Sequence, residues 1–490
     1  MDRLSGLQHM DVTRAAIRNR CRSALGITVA LATVACAAPP PVRVTADSSP
    51  LVDAAAQIRR GCYRCLESAF DAVVGRSPRM TFEVAALLVL RSKELGLPPD
   101  VWLERARDIL PSNPALSAYF DMVSAVRADP LSDDRDVIFT DNSLRRINRE
   151  TAVAWRDRLR ADTVSPLFRR YVELALSCGG QLDQRDEAIA SALQQFADVP
   201  LLRYRVGMCG SRQSPHLLSV READQDFVDA DYALGRYALD IPQYPDQEEA
   251  LRRFQSAQDA FPASPAIRTS IGNVHQEREE WTDALQAFDS TLALVPTHRD
   301  ALLGRTVSLS NLFKYEDAIQ SATRLIELGT WFIGQAYFWR AWNEYQLGRV
   351  QAARADTDQA KRLMVSAPTF ALSGMIAWRE RRLDASEEDL VRAVKLDAGQ
   401  CEAAENLGGV RADQQRWADA VSAFRQARQC FDRSVAVRRE LIAKIAAGPG
   451  SEAGKARMIA LHERAIAEAI RLRDESDENA ASIEKRLGEK

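Results

Sequence analysis

The residues with the most distinctive chemistry in this 490-residue chain are its eight cysteines. Cys62 and Cys65 form a C-x-x-C motif within Gly-Cys-Tyr-Arg-Cys, at the start of a predicted helix. At a helix N-terminus the helix dipole stabilises a thiolate, which favours thiol–disulfide exchange. A structural disulfide or a pair of buried thiols fits the same motif, so the sequence leaves these roles open.

Further cofactor and catalytic motifs are absent from the sequence. Haem attachment needs His directly after the second cysteine, where Leu66 stands, and zinc needs four ligands, whereas no second Cys/His pair has metal spacing. The chain lacks a G-x-S-x-G elbow, a P-loop, a dinucleotide fingerprint and an H-E-x-x-H pair. We therefore predict that the protein is not an enzyme and that it uses no cofactor or metal.

Composition and charge narrow the class of protein. Hydrophobic residues make up 46% of the chain and charged residues 27%, values that exclude wholesale disorder. The formal net charge is −3, with 65 basic and 68 acidic residues, so the electrostatic signature of nucleic-acid binding is missing. No stretch approaches the roughly 20 consecutive apolar residues that a transmembrane helix needs.

The first 35 residues have the parts of a secretory signal. Five arginines lie within residues 1–23, and twelve uncharged residues follow from Ala24 to Ala35. Cys36 comes directly after Thr33-Val34-Ala35, which resembles the lipobox of bacterial lipoproteins, although that family prefers Leu at the place of Thr33. The resemblance implies an exported, periplasmic protein anchored only by a lipidated Cys36, and Ala37 in place of Asp implies the outer membrane. Ordinary cleavage near Cys36 and a cytoplasmic protein with a wrongly assigned start are the alternatives.

A periodicity of about 34 residues organises the second half of the chain. Small residues recur at intervals of 33 to 35 residues, at Ala250, Ala284, Ala318, Ala353, Ser386 and Ala420. Four residues after each of them stand Phe254, Phe288, Ala322, Thr357, Leu390 and Phe424. Twelve residues before the later five stand Gly272, Thr306, Ala341, Gly374 and Gly408. Small residues let two helices approach closely, and a bulky residue fills the space between them.

This pattern resembles the tetratricopeptide repeat, with six units in phase over residues 231–434. The resemblance implies an all-α fold, a right-handed α-solenoid of helical hairpins. Residues 51–127 and 161–230 fit divergent helical repeats, separated by a linker with irregular helix at 128–160. Residues 36–50 form a proline-rich tether, and we expect capping helices over 435–490 because the end of a solenoid needs a polar outer face.

The repeat also implies partners for the cysteines. In such a hairpin the start of the first helix faces the end of the second, which brings Cys401 close to Cys430. Cys178 and Cys209 fall on neighbouring first helices at corresponding heights. Together with Cys62 and Cys65 they give three candidate disulfides, which an oxidising compartment permits.

In tetratricopeptide arrays the first helices line a concave groove, and their groove positions, carried over by phase, give a candidate partner site. The segment 331–345 holds seven aromatic residues, and helical spacing places three of them on one face. Core filling explains these aromatics as well, but Trp and Tyr are frequent binding hot spots. The candidate groove residues are Asn273, Phe338, Trp342, Tyr345, Met375, Trp378 and Arg379.

These features predict a non-catalytic protein-binding scaffold of the bacterial cell envelope, which recognises a peptide or partner segment in its groove. One alternative is a periplasmic thiol–disulfide exchange factor that uses Cys62 and Cys65. Another is a structural lipoprotein that forms oligomers through its own groove or C-terminal helix.

Overall fold

The computed structural model describes residues 50–109, 150, 153–154, 156–157, 164–178, 184–240, 246–330, 332–448 and 450–488. All regular structure within these ranges is helical, and they contain no strand. The predicted signal (1–35), Cys36, residues 37–49 of the tether and most of the linker at 128–160 lie outside the described residues.

The described N-terminal part of the chain contains eight α-helices. They are α1 (Pro50–Arg60), α2 (Tyr63–Val73), α3 (Pro78–Glu94), α4 (Asp100–Ile109), α5 (Pro166–Cys178), α6 (Arg185–Gln195), α7 (Pro200–Gly207) and α8 (Ser214–Ala223). A single 3-10 turn, Ser211–Gln213, precedes α8.

From residue 229 the helices pair in sequence as six hairpins. These are α9 (Asp229–Leu239) with α10 (Gln247–Ala260), α11 (Pro265–Glu277) with α12 (Trp281–Leu294), α13 (Arg299–Asn311) with α14 (Tyr315–Leu328), α15 (Ile333–Gln346) with α16 (Val350–Leu363), α17 (Ala367–Arg379) with α18 (Leu383–Leu396), and α19 (Cys401–Asp413) with α20 (Trp417–Ala447). A last helix, α21 (Glu452–Gly488), packs along α20. The predicted all-α solenoid of tetratricopeptide-like hairpins is therefore confirmed.

Small residues on the first helices receive bulky side chains from the second helices. A Cβ atom at Gly272 would lie 2.7 Å from Cε1 of Phe288, and one at Gly374 would lie 2.6 Å from Cγ of Leu390. Phe288 and Leu390 are completely buried. The small residue on the first helix leaves a space, and the bulky side chain of the second helix fills it. The periodic small and bulky positions of the sequence thus hold each hairpin together.

Caps and turns fix where the hairpin helices begin and bend. Side chains of Ser264, His298 and Ser366 accept hydrogen bonds from backbone N–H groups in the first turns of α11, α13 and α17. In five hairpins one residue of the turn between first and second helix has a positive φ; these residues are Glu279, Phe313, Gly348, Arg381 and Gln415.

A buried ion network joins the N-terminal helices to the first hairpin. Arg91 of α3 pairs with Asp229 at the start of α9, and the Nη1 atom of Arg205 donates to Oε1 of Glu94 at 2.6 Å. The backbone N–H of Tyr63 donates to the same Asp229 carboxylate at 2.7 Å. Burial raises the pKa of Asp229, and the charge of Arg91 opposes that shift. The network fixes α2 and α3 on α9 across more than 130 residues of sequence.

No helix in the described part of the chain is both long enough and apolar enough to span a bilayer.

Candidate partner-binding groove

The predicted aromatic face lies on α15 and packs towards α17. Phe338, Trp342 and Tyr345 are half-buried, and they contact a buried cluster that includes Leu372 and Ile376 of α17. Their spacing of four and three residues places them on one side of the helix. They therefore join two neighbouring first helices while part of each side chain stays accessible.

Arg379 adds a cation at the end of this face. Its guanidinium lies over the Tyr345 ring, 5.2 Å from the centroid, and its Nη1 atom donates to the Tyr345 carbonyl oxygen at 3.3 Å. A guanidinium held over an aromatic ring is attracted by the ring quadrupole. The cation is thus positioned beside the apolar surface and stays exposed to solvent.

Trp378 points towards the next unit. Its indole lies over Gly409, where a Cβ atom would come within 2.3 Å of Cη2, and its Nε1–H donates to Oδ2 of Asp413 at 2.9 Å. Arg381 donates to the same carboxylate oxygen at 2.7 Å. Trp378 therefore contributes to packing between units as well as to the surface.

The remaining predicted residues are divided between two places. Met375 is half-buried on α17, the helix against which the aromatic face packs. Asn273 is half-buried on α11. The first helix α13 lies between α11 and α15 in the order of the repeats. The structure thus brings six of the seven predicted residues together on α15 and α17 and leaves Asn273 apart.

Gln276 of α11 and Glu405 of α19, two polar residues on other first helices, make contacts within the chain. Gln276 donates to the Gly304 carbonyl oxygen at 2.7 Å and to Ser308 at 3.0 Å, and so links two first helices. Glu405 lies on α19 beneath α21, where burial and the nearby Glu475 carboxylate raise its pKa. The accessible surface is therefore centred on α15 and α17, an apolar floor with one cation, which suits an extended or helical segment with apolar side chains.

The structure holds all three predicted cysteine pairs at disulfide distance. The Cα–Cα separations are 4.9 Å for Cys62 and Cys65, 5.0 Å for Cys178 and Cys209, and 5.3 Å for Cys401 and Cys430.

The Cys62–Cys65 pair lines a cavity of about 370 Å³, together with Arg60, Arg64 and Asp226. Cys62 caps α2, and its Sγ atom accepts a hydrogen bond from the Cys65 N–H. Both residues have under 5% of their surface exposed, so contact with solvent is limited to the cavity wall.

A cluster of possible metal ligands lies at the edge of the second hairpin. His275, Glu280 and Asp283 approach one another, and His275 Nδ1 is 2.6 Å from Oε2 of Glu280. Glu280 is already paired with Arg278 at 3.1 Å. Because the Arg278 guanidinium already neutralises the Glu280 carboxylate, we assign no metal to this cluster.

Sequence reasoning missed the buried network around Arg91 and Asp229. Both residues have charged side chains that are normally solvated, and neither stands in a motif. The run from Glu83 to Leu90, apolar almost throughout, gave the available signal, since a helix that is apolar on all sides is buried on all sides.

The helices and their packing define an α-solenoid of tetratricopeptide-like hairpins. Residues 372–434 match the Tetratricopeptide repeat family. Among curated proteins, none matches the sequence significantly.

Several solved structures resemble parts of the chain. A tetratricopeptide repeat protein from Parabacteroides merdae is 18% identical, with 49% of this chain and 98% of that chain covered and a TM-score of 0.37. YrrB, described as a TPR protein with an unusual peptide-binding site, is 18% identical over 36% of this chain and 91% of its own, with a TM-score of 0.31. MamA is 19% identical over 34% of this chain and 92% of its own, with a TM-score of 0.31.

Proposed function

We propose that the chain is a non-catalytic scaffold that binds a peptide or partner segment on the face formed by α15 and α17. The observation that carries the proposal is the half-buried row of Phe338, Trp342 and Tyr345. A folded monomer gains little by leaving such large rings partly accessible, whereas Trp and Tyr in that position are typical anchors of interfaces.

Affinity capture tests the proposal, with the full-length protein purified from detergent-solubilised membranes. Trp342→Ala should remove the partners that wild type retains, because truncating a hot-spot tryptophan costs about 2 kcal/mol or more, roughly 30-fold in affinity. Circular dichroism and thermal unfolding of the variant establish that it is folded.

Phe313→Ala provides a matched control. Phe313 is an aromatic residue that is 77% exposed, but it lies on the turn after α13 and not on the proposed face. This variant should keep the wild-type partners. If folded Trp342→Ala also keeps them, the binding surface lies elsewhere.

The proposed location is the cell envelope, with the lipid on Cys36 as the anchor. Support comes from the arginine-rich, then apolar, N-terminal segment and from the position of Cys36 after Thr33-Val34-Ala35. Metabolic labelling with a fatty acid should mark wild type and not Cys36→Ser. Label on the serine variant, or none on wild type, would exclude this anchor.

The second candidate function is thiol–disulfide exchange by Cys62 and Cys65. The cavity beside the pair favours it, because an attacking thiolate needs a path to one sulfur atom. A partner dithiol would reduce this disulfide to two thiols and become a disulfide itself, with its two electrons and two protons passing to the pair. In the reverse direction the reduced protein should reduce a model disulfide, and Cys62→Ser should abolish that activity while Cys401→Ser leaves it.

A further inference from the structure

The last hairpin differs from the others in length. Its second helix, α20, has 31 residues, whereas α12, α14, α16 and α18 have 14 each. Only the first half of α20 has a first helix beside it, because α19 has 13 residues. The second half extends beyond the hairpin and is accompanied by α21.

Apolar contacts hold α20 and α21 together along their length. Phe431 and Val435 pack with Ala469 in one buried cluster, and Val421 packs with Ile483 in another. The two helices therefore form a stable antiparallel unit, here called the C-terminal hairpin, which ends in a tip around residues 445–458.

The tip lies against the first two repeat hairpins. Ile445 is only 2% exposed although it is two residues from the end of α20, and it lines a small cavity with Met458, Glu248 and Arg278. A Cβ atom at Gly454 would lie 3.2 Å from Cγ of Glu248. This close approach shows that the tip fits the start of α10.

Opposite charges face each other across this contact. Arg457 pairs with Glu248 and lies 3.7 Å from Glu280, and Arg464 lies 3.1 Å from Glu279. The guanidinium groups come from α21, and the carboxylates come from the edge of the first two repeat hairpins. The contacts join residues that are 177 to 209 positions apart in sequence.

The strength of this contact differs from that of the hairpin itself. Side chains of Arg464 and Glu279 are 63% and 49% exposed, and exposed ion pairs contribute little and are screened by salt. The buried apolar part is confined to the surroundings of Ile445. Apart from the surroundings of Ile445, the tip is therefore held on the repeat hairpins by exposed ion pairs.

We propose that the C-terminal hairpin is a charge-held clasp that fastens the sixth repeat hairpin to the edge of the first two. When closed, it fixes the spacing of the first helices between them; when open, those helices move relative to each other. Its effect on a partner rests on the proposed function: a fixed face loses less conformational entropy on binding, so the closed form binds more tightly.

A designed cross-link tests the contact. A Cβ atom at Gly454 would lie 3.7 Å from Cβ of Glu248, which is close to the mean separation in disulfides. In a Cys36→Ser background, Glu248→Cys with Gly454→Cys should form an internal cross-link on mild oxidation, seen by mass spectrometry. This protein lacks the Arg457–Glu248 pair and keeps the contacts of Arg457 with Glu280 and of Arg464 with Glu279. Glu248→Cys with Glu478→Cys is the control, because residue 478 is about 36 Å further along α21. A folded first pair that does not cross-link would overturn the clasp.

Charge reversal tests what holds the tip. Arg457→Glu with Arg464→Glu should lower the cross-linking rate about tenfold, since attraction to Glu280 and Glu279, the two carboxylates that remain in the cross-linking variant, becomes repulsion. Arg471→Glu is the matched control, because Arg471 pairs with Glu468 and Glu475 of its own helix. In the protein without the designed cysteines, Arg457→Glu with Arg464→Glu should speed amide exchange at the tip, because the contact is weakened. Adding Glu248→Arg and Glu279→Arg restores opposite charges and should return the exchange rate towards that of wild type. Equal rates in all variants would exclude a charge-held contact.

Comparison of cross-linked with open protein then tests the effect on binding. The captured partner should bind the cross-linked form more tightly, by several-fold. Equal affinity would remove the link to the groove and leave the clasp in place, and absence of any partner would count against the proposed function alone.

Discussion

The ring of Phe288 fills the space that a side chain at Gly304 would need. A Cβ atom at Gly304, on the following hairpin, would lie 2.3 Å from Cζ of Phe288. Gly272 meets the same ring from within the hairpin of Phe288. One buried ring therefore packs against two first helices.

Gly304→Ala should destabilise the protein, although Ala is the better helix former by about 1 kcal/mol. The new methyl group forces Phe288 out of its place, and overpacking of this kind costs about 1–3 kcal/mol. Urea unfolding followed by circular dichroism measures the change. Adding Phe288→Leu should recover part of the loss, and a more stable single variant would contradict this account.

Asp229→Asn should be strongly destabilising, because Arg91 would keep its charge in a fully buried place. Removing one partner of a buried ion pair typically costs 3–5 kcal/mol. The midpoint of chemical unfolding reports the loss. The double variant Asp229→Asn with Arg91→Met should be more stable than the single one; the opposite order would show that Asp229 acts through Tyr63 and not through Arg91.

Stability should depend on His298 in mildly acidic solution. Burial lowers the pKa of His298 to about 4, while in the unfolded chain it is near 6.5. The unfolded state therefore binds more protons between these values, and stability falls as the pH drops from 6.5 towards 4. Protonation also removes the acceptor that caps α13 through the Ala301 N–H.

His298→Asn isolates this contribution, since Asn is a good cap that does not titrate. The difference in unfolding free energy between wild type and variant should change by about 2 kcal/mol between pH 7 and pH 4.5. A difference that is constant with pH would show that His298 stays accessible to protons in the folded state.

Cys401→Ser with Cys430→Ser should lower stability by about 3 kcal/mol, because the native pair closes a loop with a sequence separation of 29. Unfolding with and without a reductant measures the effect. Reduction should cost wild type the stability that the Cys401–Cys430 bond provides, whereas the double variant has no such bond to lose. Free-thiol counts of two per molecule at this site in the untreated wild type would contradict the pairing.

Much of the hairpin array could be predicted from the sequence because its determinants are local and periodic. Ala284 and Phe288 are four residues apart and Gly272 is twelve residues earlier, so one short window contains the contacts that form a hairpin. The rings of Phe338, Trp342 and Tyr345 could be assigned to one face for the same reason. Whether a partner covers that face depends on a second molecule, so it stays a prediction.

Contacts between distant segments could not be predicted in this way. Asp229 and Arg91 are 138 residues apart, and Arg457 and Glu248 are 209 apart, with no pattern that links them. The approach of Arg457 to Glu248 depends on the angles accumulated over the intervening repeat hairpins. The contacts of Trp378 with the next unit were not predicted either: its indole packs on Gly409 and donates a hydrogen bond to Asp413.

The position of Phe288 between Gly272 and Gly304 has a consequence for synthesis on the ribosome. When the second repeat hairpin has emerged and the third has not, one side of the Phe288 ring is bare. Each new hairpin covers the previous one and exposes its own surface, so the nascent chain always has one unfinished end. The long C-terminal hairpin is synthesised after the repeat hairpins, and its arrival brings the sixth repeat hairpin into contact with the first two.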